Sequence, residues 1–207
     1  MNFFISDLHF GHENCLDFDN RPFKTIEEHD NALIERWNNA VGYDDDVYLL
    51  GDVAFGASSS KVAEYVSMLN GNKHLIIGNH DGRYLKNNDF RKHFVEITHY
   101  KELFIDKRHS IVLSHYPHLS YRNLFRGWTH LYGHVHASFD WNMMERNKRL
   151  MKELYSKEKD RLPDDVFDAY NVGAMLPYMN YTPRTLDEIR DGAKEYFNFN
   201  SDGKGTK

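Results

Sequence analysis

His74-Leu75-Ile76-Ile77-Gly78-Asn79-His80-Asp81 is the stretch whose reading decides the fold. Its first half, His74 to Ile77, has the length and branching of a buried strand. A glycine follows, then three side chains able to bind a cation or move a proton. In open α/β sheets, ligands sit in the crevice beyond the carboxyl ends of the strands. A strand that ends in Asn-His-Asp therefore points at a site.

The same arrangement recurs on both sides of it. Phe3 to Ser6 leads into Asp7-Leu8-His9, and Val47 to Leu50 into Gly51-Asp52. Ile111 to Ser114 ends at His115, and His130 to Tyr132 at Gly133-His134-Val135-His136. Gly51, Gly78 and Gly133 each come just before a candidate ligand, where a missing Cβ lets the backbone turn tightly. Tyr100 to Ile105 and Ser110 to Leu113 flank Asp106-Lys107-Arg108-His109 and suggest a hairpin.

Helical periods separate the strands. Thr25 and Glu28 have capping-box spacing ahead of Ile26, Leu33, Trp37 and Val41. Val62, Val66 and Leu69 repeat the period up to Gly71, a plausible stop. Thr185 and Glu188 open a last helix with Leu186, Ile189 and Ala193 on one face. Alternating strands and helices, then strands in succession, argue for a mixed α/β core covered by helices. Residues 138–170 break the rhythm. Met143, Met144, Leu150, Met151, Leu154 and Tyr155 suggest an inserted amphipathic helix, either a cap over the site or an extra helix on the core.

Composition bounds the rest. The 207 residues suit one domain, read as 1–200 with a flexible tail at 201–207, and 41% hydrophobic residues suffice for a core. A net charge of -5, without a basic stripe, weighs against an extended nucleic-acid polymer as partner. The single cysteine, Cys15, excludes an internal disulfide and fits a reducing, cytoplasmic setting; spacing makes it a small buried residue and no ligand. No apolar run approaches a membrane span, and the N-terminus does not read as a signal peptide.

Asp7, His9, Asp52, Asn79, His115, His134 and His136 offer carboxylate, imidazole and amide oxygen, a set suited to Mn, Fe, Zn, Ni or Mg. Seven ligands are too many for one four-coordinate ion. They suit two ions about 3.5–4 Å apart that share a carboxylate and a solvent.

The order Asp-x-His, Gly-Asp, Gly-Asn-His-Asp, His, Gly-His-x-His resembles the calcineurin-like metallophosphoesterase superfamily, and all five blocks are present from Asp7 to His136. Asn171-Val172-Gly173, then Tyr181-Thr182-Pro183 and Leu186-Asp187-Glu188-Ile189, resemble its closing segment. The resemblance implies a four-layer sandwich of two mixed β-sheets flanked by helices. It implies two divalent or trivalent ions, manganese first among them, and a phosphomonoesterase or phosphodiesterase acting through a metal-bridging hydroxide. Asp7, His9 and His136 would hold one ion, Asn79, His115 and His134 the other, with Asp52 bridging. His80 would be the catalytic histidine beside the leaving group, oriented by Asp81, which has a helix cap as its alternative role. The substrate expected is a small phosphodiester or nucleotide-like ester.

Around these, His12 reads as a phosphate contact or a loop-packing residue. Arg21 and Arg83 are candidate phosphate forks by nearness, as are Arg122 and Arg126, each set against a solvated-surface role. Phe10 and Tyr121 could stack an aromatic group or pack in the core. His118 and His130 read as structural or supporting the ligands, and His29, His93, His99 and His109 as surface residues. Two readings compete with the small-ester hydrolase: a non-catalytic interaction module of the same fold, and a nuclease.

Overall fold

The computed structural model describes residues 1–105, 110–158 and 166–201. Two four-stranded sheets form its centre. The first runs in the order β1 (Asn2–Ile5), β2 (Asp46–Leu49), β3 (Asn72–Ile76), β4 (Phe94–Thr98), with every pairing parallel. The second runs β5 (Tyr100–Phe104), β6 (Ser110–Ser114), β7 (Thr129–Tyr132), β8 (Ala169–Asn171). It is mixed: β5 and β6 are antiparallel, and the later pairs parallel. The two-sheet architecture flanked by helices holds. The first sheet carries its antiparallel contact only as a bridge, Phe4 to Arg184, beside β1.

The sheets meet where β1 ends. The Ser6 N–H donates to Val172 O at 2.9 Å, and Ser6 O accepts from Ala174 N at 2.9 Å. This splice brings the carboxyl end of β1 against the segment that follows β8. It is why the first and last ligand loops share one crevice.

Helices cover the sheets where their apolar periods dictate. The short α1 (Asn14–Phe18) follows the first ligand loop, and α2 (Ile26–Ala40) starts at Thr25, whose hydroxyl accepts from Glu28 N at 3.2 Å. Trp37 of α2 is buried and donates from its indole to Asn70 O at 3.0 Å. α3 (Ser59–Ser67) is capped by Ser58, and it ends before Gly71, which serves the turn into β3 instead. The short α4 (Asn88–Arg91) precedes β4. α6 (Leu186–Ser201) opens on a reciprocal cap between Thr185 and Glu188 and buries Ile189 and Ala193.

The 138–170 stretch contains α5 (Phe139–Glu158), and 159–165 lie outside the described residues. α5 packs on the second sheet and α6. Trp141 meets Tyr178, Tyr196 and Phe197, while Lys148 reaches Ala169 O at 2.8 Å. Its inner face includes the polar pair Glu145–Lys148, and Leu150 and Leu154 stay exposed. Among the described residues of α5, Asp140 at its start lines the ligand crevice, next to Ser138 just before the helix. Ser201 closes α6, and the rest of the expected tail, 202–207, lies outside the described residues, as does the 106–109 turn of the hairpin with His109. No described helix is long and apolar enough to cross a membrane.

Candidate metal centre

Five strand ends converge, and all seven expected ligands come with them. Asp7, His9 and His136 place one donor atom each within 4.8 Å of one another, and so do Asp52, His115 and His134. Asn79 Oδ1 lies 2.9 Å from His115 Nε2 and so joins the second cluster. Asp52 stands between the two: its Oδ2 is 3.9 Å from His9 Nε2, 3.6 Å from His115 Nε2 and 3.8 Å from His80 Nε2.

The backbone is bent to achieve this. Asp7, His9, Asp52, His134 and His136 all have positive φ, between 45° and 70°. A non-glycine residue held there costs on the order of 1–3 kcal/mol, and such strain gathers at functional sites. Gly78 and Gly133 permit the crowding: a Cβ on the first would strike the Asp52 carboxylate, and one on the second Ser6 and Asp7.

Each cluster is oriented from behind. His136 Nδ1 lies 2.8 Å from Asp19 Oδ1, leaving Nε2 facing Asp7 at 3.7 Å. Asp19 accepts from Arg21 at 2.8 and 3.0 Å. Arg21 also donates to Leu8 O and Asp7 O and lies 2.8 Å from His29, which in turn meets Asp30 at 2.8 Å. The second cluster leans on backbone. His115 Nδ1 is fixed by Leu50 O at 2.7 Å, and the Asp81 carboxylate accepts from the N–H groups of Asp52, Val53 and Gly78 at 2.7–3.0 Å.

Burial lowers the His9 pKa well below 6.5, helped by Arg21 and the neighbouring histidines, and burial likewise lowers His134. Burial takes His12 down to about 4. Burial also opposes the proton on His136, yet the Asp19 bond and Asp7 outweigh it and raise that pKa. The Asp52 carboxyl is raised by burial against the pull of His115. Neutral imidazoles and carboxylates are the forms that coordinate metal. The fit to a cation rests on one orphaned atom: His9 Nε2 is buried with no hydrogen-bond partner, while its Nδ1 meets His12 Nδ1 at 3.1 Å. A lone pair buried and aimed into a carboxylate-imidazole cradle is a ligand's position.

Several expectations are corrected. Arg21 does not face a substrate: it is buried, and its five N–H donors are all engaged by Asp19, Leu8, His29 and Asp7. Asp81 does not touch the His80 ring; it knits the Asp52 and Gly78 turns together, and burial raises its pKa to about 6 against those N–H bonds. His29 is buried, not a surface residue, because the Arg21 network recruits it. Phe10 is core, stacked on Tyr65. Tyr121 packs on His130 and donates to Asp168 O. His12 stays beside His9 at the crevice, while the exposed Arg83 donates to Ala57 O at 3.3 Å and lies over the Tyr84 ring. Arg122 pairs with Glu102, and His130 is buried with both nitrogens engaged, by Val112 O and His118 N. Cys15 is buried and its thiol pKa is raised to about 11 by burial. Sequence reading missed Asp19, which carries no motif, and the exposed rings of Phe18, Phe55 and Tyr116 around the centre.

Two sheets whose strand ends assemble two Asp/His clusters define a scaffold with paired candidate metal sites. Residues 3–197 match the calcineurin-like phosphoesterase family, and the chain belongs to it. It is 38% identical over 139 residues to an uncharacterized protein of Methanocaldococcus jannaschii, covering 66% of this chain and 69% of that one. It is also 40% identical over 91 residues to the gene 66 protein of Mycobacterium phage L5, covering 43% of this chain and 44% of that one. A crystal structure of a protein of unknown function from Aquifex aeolicus shares the fold at a TM-score of 0.59 and 21% identity, covering 92% of this chain and 98% of its own.

Proposed function

We propose that this chain hydrolyses a small phosphodiester, of nucleotide-like size, using two cations held side by side, with manganese the first to test. Asp7, His9 and His136 would hold one ion and Asn79, His115 and His134 the other, with Asp52 shared. The observation that carries this reading is the Asp52 Oδ2 position, 3.6–3.9 Å from histidine nitrogens of both clusters. When bound, cations so placed polarise the phosphoryl oxygens and lower the pKa of a coordinated water from 15.7 toward about 7.

The chain's own groups supply the remainder. Asp7 and Asp52 offset the charge brought into the crevice, and the backbone N–H of His80 holds Asp52 Oδ1 at 2.9 Å, which fixes the carboxylate's rotation. His80 is partly exposed, with Nε2 3.8 Å from Asp52 Oδ2, and is the group to protonate the departing ester oxygen. Its own orientation comes from Phe55, whose ring packs edge-on at 4.6 Å.

The test is turnover of bis(p-nitrophenyl) phosphate by protein stripped with chelator and then supplied with manganese. Activity should return on metal addition in the native chain and not in His134→Ala. Equal rates with and without metal would end the proposal. His80→Ala should lose more rate on alkyl esters, whose leaving group needs a proton, than on nitrophenyl esters. Equal losses on both would remove the acid role.

A further inference from the structure

Three exposed aromatic rings stand against the metal-centre histidines, and none of them is needed for the core. Phe18 is 54% exposed, Phe55 37% and Tyr116 50%. Phe18 lies 5.6 Å from the His136 ring and 5.5 Å from His12, on the side of the first cluster. Tyr116 lies 4.4 Å from His134 and 5.1 Å from His115, on the side of the second. Phe55 lies 4.6 Å from His80 and 4.5 Å from His12, on the side where an ester oxygen would depart. Large rings left in water beside a polar site lose the burial that would stabilise them, so an exposed apolar patch there signals a ligand.

A cleft of about 360 Å³ opens beside His134 and His136, walled by Phe18, Asn20 and Asp140. That volume falls in the range of small-ligand sites, roughly 300–1,000 Å³. The charges around the crevice complete the picture. Arg21 has spent every donor on the protein, and among the described residues no lysine or arginine lines the cleft, where Asp19 and Asp140 supply the acidic charge. Such a rim disfavours further phosphates and favours flat uncharged groups.

Resting on the phosphodiesterase reading above, we propose that Phe18, Phe55 and Tyr116 form an aromatic collar that selects phosphodiesters bearing planar aromatic arms, such as a nucleobase or phenyl group. Phe55 meets the leaving arm. Phe18 and Tyr116 meet the retained one. Rings placed by the collar hold the phosphorus over Asp52, so the discrimination falls on binding.

The experiment keeps the leaving group fixed and varies the retained arm. Methyl p-nitrophenyl phosphate, phenyl p-nitrophenyl phosphate and thymidine 5′-p-nitrophenyl phosphate are compared with the manganese-loaded chain. The aromatic-armed esters should exceed the methyl ester in kcat/KM by about tenfold or more, mainly through KM, a factor that corresponds to about 1.4 kcal/mol. In Phe18→Leu and Tyr116→Leu, which keep apolar bulk and lie on the surface, that ratio should fall toward one. Unchanged melting temperatures would exclude unfolding as the cause. Calorimetry needs no turnover: phenylphosphonate should bind the manganese-loaded chain about tenfold tighter than methylphosphonate, and the leucine variants should lose the difference. Failure to cleave any ester would sink the hydrolase reading and leave calorimetry to judge the collar. Cleavage of all three at equal kcat/KM, or equal phosphonate affinities, would overturn the collar alone.

Discussion

The two halves of the metal centre are built by different means. Around Asp7, His9 and His136 the support is a buried side-chain network, Asp19–Arg21–His29–Asp30, running away from His136 Nδ1. Around Asp52, His115 and His134 the support is main chain: Leu50 O fixes His115, and Asp81 holds the N–H groups of the Asp52 and Gly78 turns. A side-chain network can be weakened one residue at a time and titrates with pH. Main-chain support fails only when the turn itself fails. The first half should therefore be tunable and the second brittle.

The largest effect should come where the halves join. Asp52→Asn should lower kcat on bis(p-nitrophenyl) phosphate by about 10³-fold or more, the upper end of the loss on deleting one transition-state-stabilising group. A loss of less than tenfold would mean that the clusters do not share it. Next, Asp81→Ala strands three buried N–H donors at about 1–3 kcal/mol each. It should cost roughly 3 kcal/mol or more of stability in chemical denaturation of the metal-free chain. A cost below about 1 kcal/mol would show that the second half is not brittle. Asp19→Asn removes the carboxylate behind His136, and such partners typically carry 10–100-fold in metal affinity. Metal titration should show one weakened ion and one unchanged. Equal weakening of both would erase the contrast between the halves.

The smallest effect concerns pH. Burial, and then Arg21, hold the His29 pKa below 6.5 despite the pull of Asp30. The unfolded chain therefore takes up that proton first, and stability rises with pH across the window and falls as pH drops through 6.5. The loss from this one group is at most about 1.4 kcal/mol at pH 5.5. His29→Gln, melted without metal between pH 7.5 and 5.5, should show a shallower decline than the native chain. Parallel curves would acquit His29.

How much of this was legible in the sequence follows from the same division. The strand ends were legible because each pairs an apolar run with a glycine and a ligand, as in Gly78-Asn79 and Gly133-His134. Strand β4 was not, because Phe94–Thr98 is an edge strand with only Phe94 buried. Asp19 meets His136 across 117 residues, so no local spacing could announce it. Arg21 lies close to a ligand loop in sequence, as a phosphate fork would, yet it points inward because Asp19 and two carbonyls claim its donors. Nor do residue types reveal that five ligands sit at positive φ. Main-chain support follows from chain path, which motifs encode. The side-chain network is local in sequence from Asp19 to Asp30, but its link to His136 spans 117 residues, which motifs do not encode.

The most direct test of the central claim is the anomalous scattering of crystals grown with manganese. Two peaks about 3.5–4 Å apart, both within coordinating distance of the Asp52 carboxylate, are the predicted result. A single peak, or two peaks that leave Asp52 bound to only one, would contradict it.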